Sequence, residues 1–115
     1  MSGRIRRLRI REVDRDIFDA LRSGEKRVET RAATDRYRDI ASGDKVLFVC
    51  GRDSFSKKVK SARLFRSVPA LLRLHRARDI NPNVRTAAGL KAMYESFPGY
   101  KEKIRKFGLI ALELA

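Results

Sequence analysis

Residues 23–31, SGEKRVETR, bring lysine, glutamate, threonine and arginine close together, and Lys26, Glu29 and Arg31 set one carboxylate between two cations. Residues 27–31 alternate as an extended strand, with Val28 and Thr30 on one face and Glu29 and Arg31 on the other. Two apart on that face, Glu29 and Arg31 are placed to pair, which leaves Lys26 as the free donor. Used for binding, Lys26 is a point charge for a phosphate, and Arg31 is a bidentate fork for a phosphate or a base edge. Glu29 then accepts from a base amine or a 2′-hydroxyl, or orients Arg31. Used for catalysis, Lys26 must lose its proton near neutral pH. Burial and nearby cations favour that loss, and Glu29 opposes it. The charge balance favours binding, and a solvated turn or a structural salt bridge is the alternative.

Other catalytic signatures are missing. The chain has no phosphate-binding glycine loop, no dinucleotide fingerprint and no Cys/His cluster with zinc spacing, so neither a metal nor a cofactor is expected. His75 continues the apolar face of a helix, and Cys50 ends a buried strand, where an inert thiol is expected.

Charge is the strongest compositional signal. Lys and Arg number 28 against 14 Asp and Glu, a formal net charge of +14. Such an excess attracts phosphate backbones, and single-stranded RNA is the expected partner. Arg7, Arg9 and Arg11 alternate along one strand, and Lys57, Lys58 and Lys60 lie on another. Tyr37, Phe55 and Tyr100 fall in connections beside basic residues, where aromatic rings stack on unpaired bases. The competing reading has arginine stems covering apolar surface and the aromatics plugging the ends of the fold. At 115 residues the chain reads as one domain, 1–115. No apolar run nears the roughly 20 residues of a membrane span. With no hydrophobic leader and a lone cysteine, the chain reads as soluble and cytoplasmic.

The elements that must position these residues follow from periodicity. Leu8 and Ile10 alternate with arginines as a half-buried strand. Asp14 is placed to cap a helix whose inner face is Ile17, Phe18 and Leu21, and Gly24 ends it. After the SGD turn at 42–44, the apolar run Val46–Cys50 reads as a central strand, and residues 56–65 return as another, with Lys58 and Lys60 exposed. Ser67 caps a helix with the face Val68, Leu71, Leu72 and His75, which RDINPN breaks. Thr86 starts a second helix, with Leu90, Met93, Tyr94 and Phe97 inward. KEKIRKF is irregular or briefly helical, and GLIALEL closes the chain as a buried strand. These elements predict an α+β domain of about five mostly antiparallel strands with three or four short helices. Closure into a small barrel would remove the exposed sheet edges.

GEKRVETR fits the pattern G-x-K-x-x-E-x-R, between an amphipathic helix and IASGDKVLFV, with MYESFPGYKEK and FGLIALEL following. In this order and spacing the chain resembles the ASCH domain family, whose members are small PUA-like β-barrels. The resemblance implies a polar cleft around Lys26, Glu29 and Arg31, and the basic strand residues Arg9, Arg11, Lys58 and Lys60 are read as its flanking phosphate contacts. It also implies a role in RNA processing or translation-linked regulation. Some relatives are enzymes, among them proposed ribonucleases. In the branch similar to acetylcytidine amidohydrolases, the lysine matching Lys26 works with a threonine three residues later and a downstream glutamate. Here Glu29 holds that threonine position with Thr30 beside it, so Lys26, Glu29 and Thr30 are the candidates if the protein is an enzyme. Asp79 is the nearest downstream acid.

Overall fold

The computed structural model describes residues 3–115. Its five strands are β1 (Ile5–Arg9), β2 (Val28–Ala32), β3 (Lys45–Cys50), β4 (Asp53–Phe65) and β5 (Leu109–Leu114). Five helices accompany them: α1 (Arg15–Ser23), α2 (Val68–Leu72), α3 (Ala77–Ile80), α4 (Ala87–Ser96) and α5 (Tyr100–Phe107).

Local chemistry sets most boundaries. The Ser67 hydroxyl accepts from the Ala70 N–H and Thr86 from the Gly89 N–H, so both expected caps form. Asp14 stands at the N-cap of α1 without capping it, because its carboxylate pairs with Arg11 at 3.0 Å. Gly24, at φ 88°, ends α1 in the left-handed region that glycine adopts without strain. Gly108, at φ 76°, joins α5 to β5 so tightly that a β-carbon there would lie 2.5 Å from the Phe65 carbonyl oxygen. RDINPN, expected only to break a helix, contains most of the one-turn helix α3, and KEKIRKF lies within α5.

The strands form one mixed sheet in the order β1-β3-β4-β5-β2. β1 runs parallel to β3, and the other three pairings are antiparallel. β4 serves both halves: residues 53–58 pair with β3 and 59–65 with β5, with a register shift between Val59 and Ser61. A bulge of this kind bends and twists the strand. One core cluster, holding Leu8, Phe18, Leu21, Val46 and Phe48, fills the first half. A second, holding Val28, Leu71, Ile80, Leu90 and Leu109, lies where the later helices cover the other half.

The α+β class and the mostly antiparallel pairing agree with the sequence reading, but the sheet does not close into a barrel. β1 and β2 are its two edges. After Arg9 the chain makes one more ladder bond, from the Ile10 N–H to the Val49 carbonyl, and turns away through a 3-10 turn at Glu12–Asp14. β2 has β5 as its one strand neighbour. A side chain spans the gap instead: the Arg31 guanidinium on β2 donates to the Arg9 carbonyl on β1 at 3.1 Å.

Candidate functional site

Lys26 lies between α1 and β2, with its backbone N–H on the Ala20 carbonyl at 3.0 Å. That anchor turns the side chain inward, and Lys26 is only 5% exposed. Its ammonium donates to the Val28 carbonyl at 2.7 Å and to the Ile80 carbonyl at the end of α3, and stands 3.3 Å from Glu29 Oε1. An ammonium has three hydrogens, and three acceptors surround this one: two carbonyls that it hydrogen-bonds and the Glu29 carboxylate that it pairs with. Lys26 is therefore not the free donor that strand alternation predicts. It ties α3 to β2 and holds one oxygen of Glu29.

The other Glu29 oxygen, Oε2, accepts from Arg31 Nε at 2.9 Å. Burial alone would raise the Glu29 carboxyl, but the charges of Lys26 and Arg31, with their hydrogen bonds, outweigh it and hold the group below its ordinary value. Burial also lowers the Lys26 ammonium from its ordinary value, against the pull of Glu29. Of the five guanidinium N–H donors of Arg31, one goes to Glu29 and one to the Arg9 carbonyl. Three remain. The plane is also steadied by Tyr37, whose ring centroid lies 5.5 Å from the Arg31 Cζ. Arg31 is thus the cation of the trio with donors to offer a ligand.

These donors border a cleft of about 490 Å³ at the open seam of the sheet. Lys26, Glu29, Thr30 and Arg31 form one side, the end of β1 with Arg9 and Arg11 another, and Tyr94, Phe97 and Tyr100 an aromatic wall. The Tyr94 and Tyr100 rings are nearly parallel, at 9° and 6.0 Å, and Phe97 meets Tyr100 edge-on at 5.5 Å. Both hydroxyls are committed. Tyr94 shares a hydrogen bond with the Thr30 hydroxyl, and Tyr100 accepts from the Ala32 N–H at 2.7 Å. Burial raises both phenols above their ordinary values, which keeps them neutral. Thr30, which alternation places on the face of Val28 and away from Glu29 and Arg31, borders the cleft through this bond to α4.

The other sequence candidates divide. Arg9 and Arg11 reach the cleft, although Arg11 is paired with Asp14. Tyr100 reaches it as the first residue of α5, not from a loop. Tyr37 lies against Arg31 and Arg36 beside the site without lining it. Phe55 belongs to β4 and packs on Phe18 and Phe48 at 4.9 and 5.3 Å, so it is a core-edge ring and not a platform for bases. Its strand position points it inward, opposite Lys58 and Lys60, which are exposed and away from the cleft. His75 meets Phe65 edge-on, and the fully buried Cys50 thiol donates to the Arg11 carbonyl. Asp79 pairs with Arg76 at 3.5 Å outside the cleft, so it does not join Lys26, Glu29 and Thr30. Among the described residues no three His, Cys, Asp or Glu side chains gather as a metal site.

The sequence reading missed Tyr94 and Phe97, taken as core on the inner face of α4, and the polar rim of Asp16, Asn81 and Asn83. The Asn83 amide donates to Asp16 at 3.0 Å across that rim. A buried tyrosine needs a partner for its hydroxyl, which is the one signal that marks Tyr94 in advance.

No family model matches the chain, and no curated protein does. Solved structures of similar fold include the following two. The crystal structure of hypothetical protein PH0355 superposes with a TM-score of 0.77 at 23% identity, covering 96% of each chain. The solution NMR structure of protein PF0455 from Pyrococcus furiosus gives 0.73 at 23% identity, over 96% of this chain and 94% of that one. The chain shares their fold.

Proposed function

We propose that the protein is an RNA-binding module of ASCH type, acting in the cytoplasm in RNA processing or translation-linked regulation. Its architecture is a PUA-like variant in which the β1–β2 seam stays open and is crossed by the Arg31 side chain. The cleft receives one nucleotide of a single-stranded RNA. The observation that carries this reading is Arg31: Glu29 and the Arg9 carbonyl fix it, three N–H donors remain, and it faces an aromatic wall across a nucleotide-sized cleft. A preorganised guanidinium suits a phosphate or a base edge, and flat apolar rings suit a base. The basic surface adds the long-range attraction. Binding is favoured over hydrolysis of RNA or of a modified nucleoside because Lys26 is engaged by the Val28 and Ile80 carbonyls and by Glu29, and Asp79, the downstream acid, lies outside the cleft.

The test is anisotropy of a labelled single-stranded RNA against salt, with Arg31→Ala and Arg31→Lys beside the wild type. Charged hydrogen bonds are worth about 1.5–3 kcal/mol each, so Arg31→Ala weakens binding by at least about tenfold. Arg31→Lys restores charge but not the fork and stays weak. Wild-type affinity in both variants, with native circular dichroism, overturns the reading.

A further inference from the structure

The outer face of the β1–β3–β4 half of the sheet carries a second basic feature, distinct from the cleft. The registers place Arg7 and Arg9 of β1 beside Leu47 and Val49 of β3, and Lys45 of β3 beside Lys58 of β4. Lys60 follows two residues on, exposed like Lys58. Arg9, Arg7, Lys45, Lys58 and Lys60 therefore form a diagonal across three strands, with steps of about 5–8 Å between neighbours. All five are exposed. Among the described residues none of them is in an ion pair, whereas Arg4, Arg6, Arg11 and Arg15 all are. The registers place no acid directly opposite Arg7, Arg9, Lys45 or Lys58, and the nearest in the sheet beyond Lys60 is Glu113, opposite Ser61. Five like charges in file repel one another, and only a polyanion relieves them all.

The diagonal begins at the cleft, since Arg9 borders both. We propose that a single-stranded RNA leaves the cleft at Arg9 and runs along this file, its phosphates meeting Arg7, Lys45, Lys58 and Lys60 in turn. Half-buried Leu47 and Val49 give the bases an apolar strip beside the phosphates. The track rests on the RNA reading above, but it makes a separate demand: affinity must grow with RNA length through these side chains.

The experiment uses the full chain, labelled oligouridylates of three and twelve nucleotides, and the variant K45Q/K58Q/K60Q. A control variant, R73Q/K91Q/K103Q, removes the same charge from three exposed helix-side positions. Each lost phosphate contact on a single strand lowers the slope of log K against log salt by about 0.7. The track variant is expected to lose about 2 from the dodecamer slope and to bind the trinucleotide as the wild type does. The control keeps the wild-type slope. An unchanged dodecamer slope, or an equal loss in the control, overturns the track. So does a track variant that loses binding to phosphatidylserine vesicles while keeping its RNA slope, because that marks a membrane-facing surface. Arg31→Ala, run with the trinucleotide, judges the cleft independently; its failure leaves the dodecamer slopes still deciding the track.

Discussion

Replacing Lys26 by methionine separates a structural lysine from a ligand-binding one. The substitution keeps the stem volume but removes the charge, leaving Glu29 with Arg31 alone and the Val28 and Ile80 carbonyls without their ammonium partner. Removing one member of a buried ion pair costs about 3–5 kcal/mol. A domain of this size is stable by roughly 5–15 kcal/mol, so Lys26→Met consumes a large part of the total. The assay is urea unfolding at several pH values, with Lys26→Met/Glu29→Gln as the companion. Glu29 has a folded pKa below its unfolded value of about 4.3. Its contribution is thus fully present above that pH and fades as pH falls through the folded pKa. In Lys26→Met the carboxylate loses part of what held it down, so the variant's deficit is largest near neutrality and shrinks on acidification. The double variant recovers part of the deficit at pH 7, because the uncharged amide no longer needs the cation. If Lys26→Met stays within about 1 kcal/mol of wild type while RNA affinity collapses, Lys26 is a ligand donor and the reasoning from its three acceptors is refuted.

Other outcomes follow from the same contacts. Tyr100→Phe leaves the Ala32 N–H without its acceptor and lowers unfolding free energy by about 1–3 kcal/mol, measured by the same urea titration. Phe55→Ala removes a ring packed on Phe18 and Phe48. Because that ring is only partly buried, the cost is about 2 kcal/mol, below the usual range for a core Phe, and RNA affinity stays at the wild-type value in anisotropy. Asp44 accepts from the Arg4 and Ala41 N–H groups at 2.9 Å each. Asp44→Ala therefore costs about 2 kcal/mol, visible as a lower urea midpoint with an unchanged slope.

The sequence made the strands legible wherever alternation or an apolar run was clean. Leu8 and Ile10 and the closing GLIALEL take the positions their patterns require, whereas Val46–Cys50, whose unbroken apolar run reads as buried on both faces, is buried on one face only, with Leu47 and Val49 half-buried on the other. It also marked the trio and its neighbourhood. It did not mark what the trio does, because strand alternation sorts faces and says nothing of depth. Lys26 lies just before β2, and its backbone bond to Ala20 swings it into the interior, where α3 supplies an acceptor 54 residues away in sequence. α3 was hidden because Asn-Pro-Asn reads as a breaker, and one helical turn is too short to show a period. Barrel closure failed as an expectation for a related reason. Protecting sheet edges does not require a ladder, and here the cleft and the Arg31 guanidinium occupy the seam. Phe55 was misplaced by a strand boundary: β4 starts at Asp53, three residues before the predicted start, and that puts the ring on the inner face.

The most direct measurement is a ¹⁵N NMR titration of the full chain with a short single-stranded RNA, following the Arg31 Nε–H beside the backbone amides. If the cleft receives a nucleotide, the Arg31 side-chain signal shifts, together with the amides of Thr30, Arg31, Tyr94 and Tyr100, and these shifts vanish in Arg31→Ala. Shifts confined to residues far from the seam, with the Arg31 Nε–H unmoved at saturation, contradict the account.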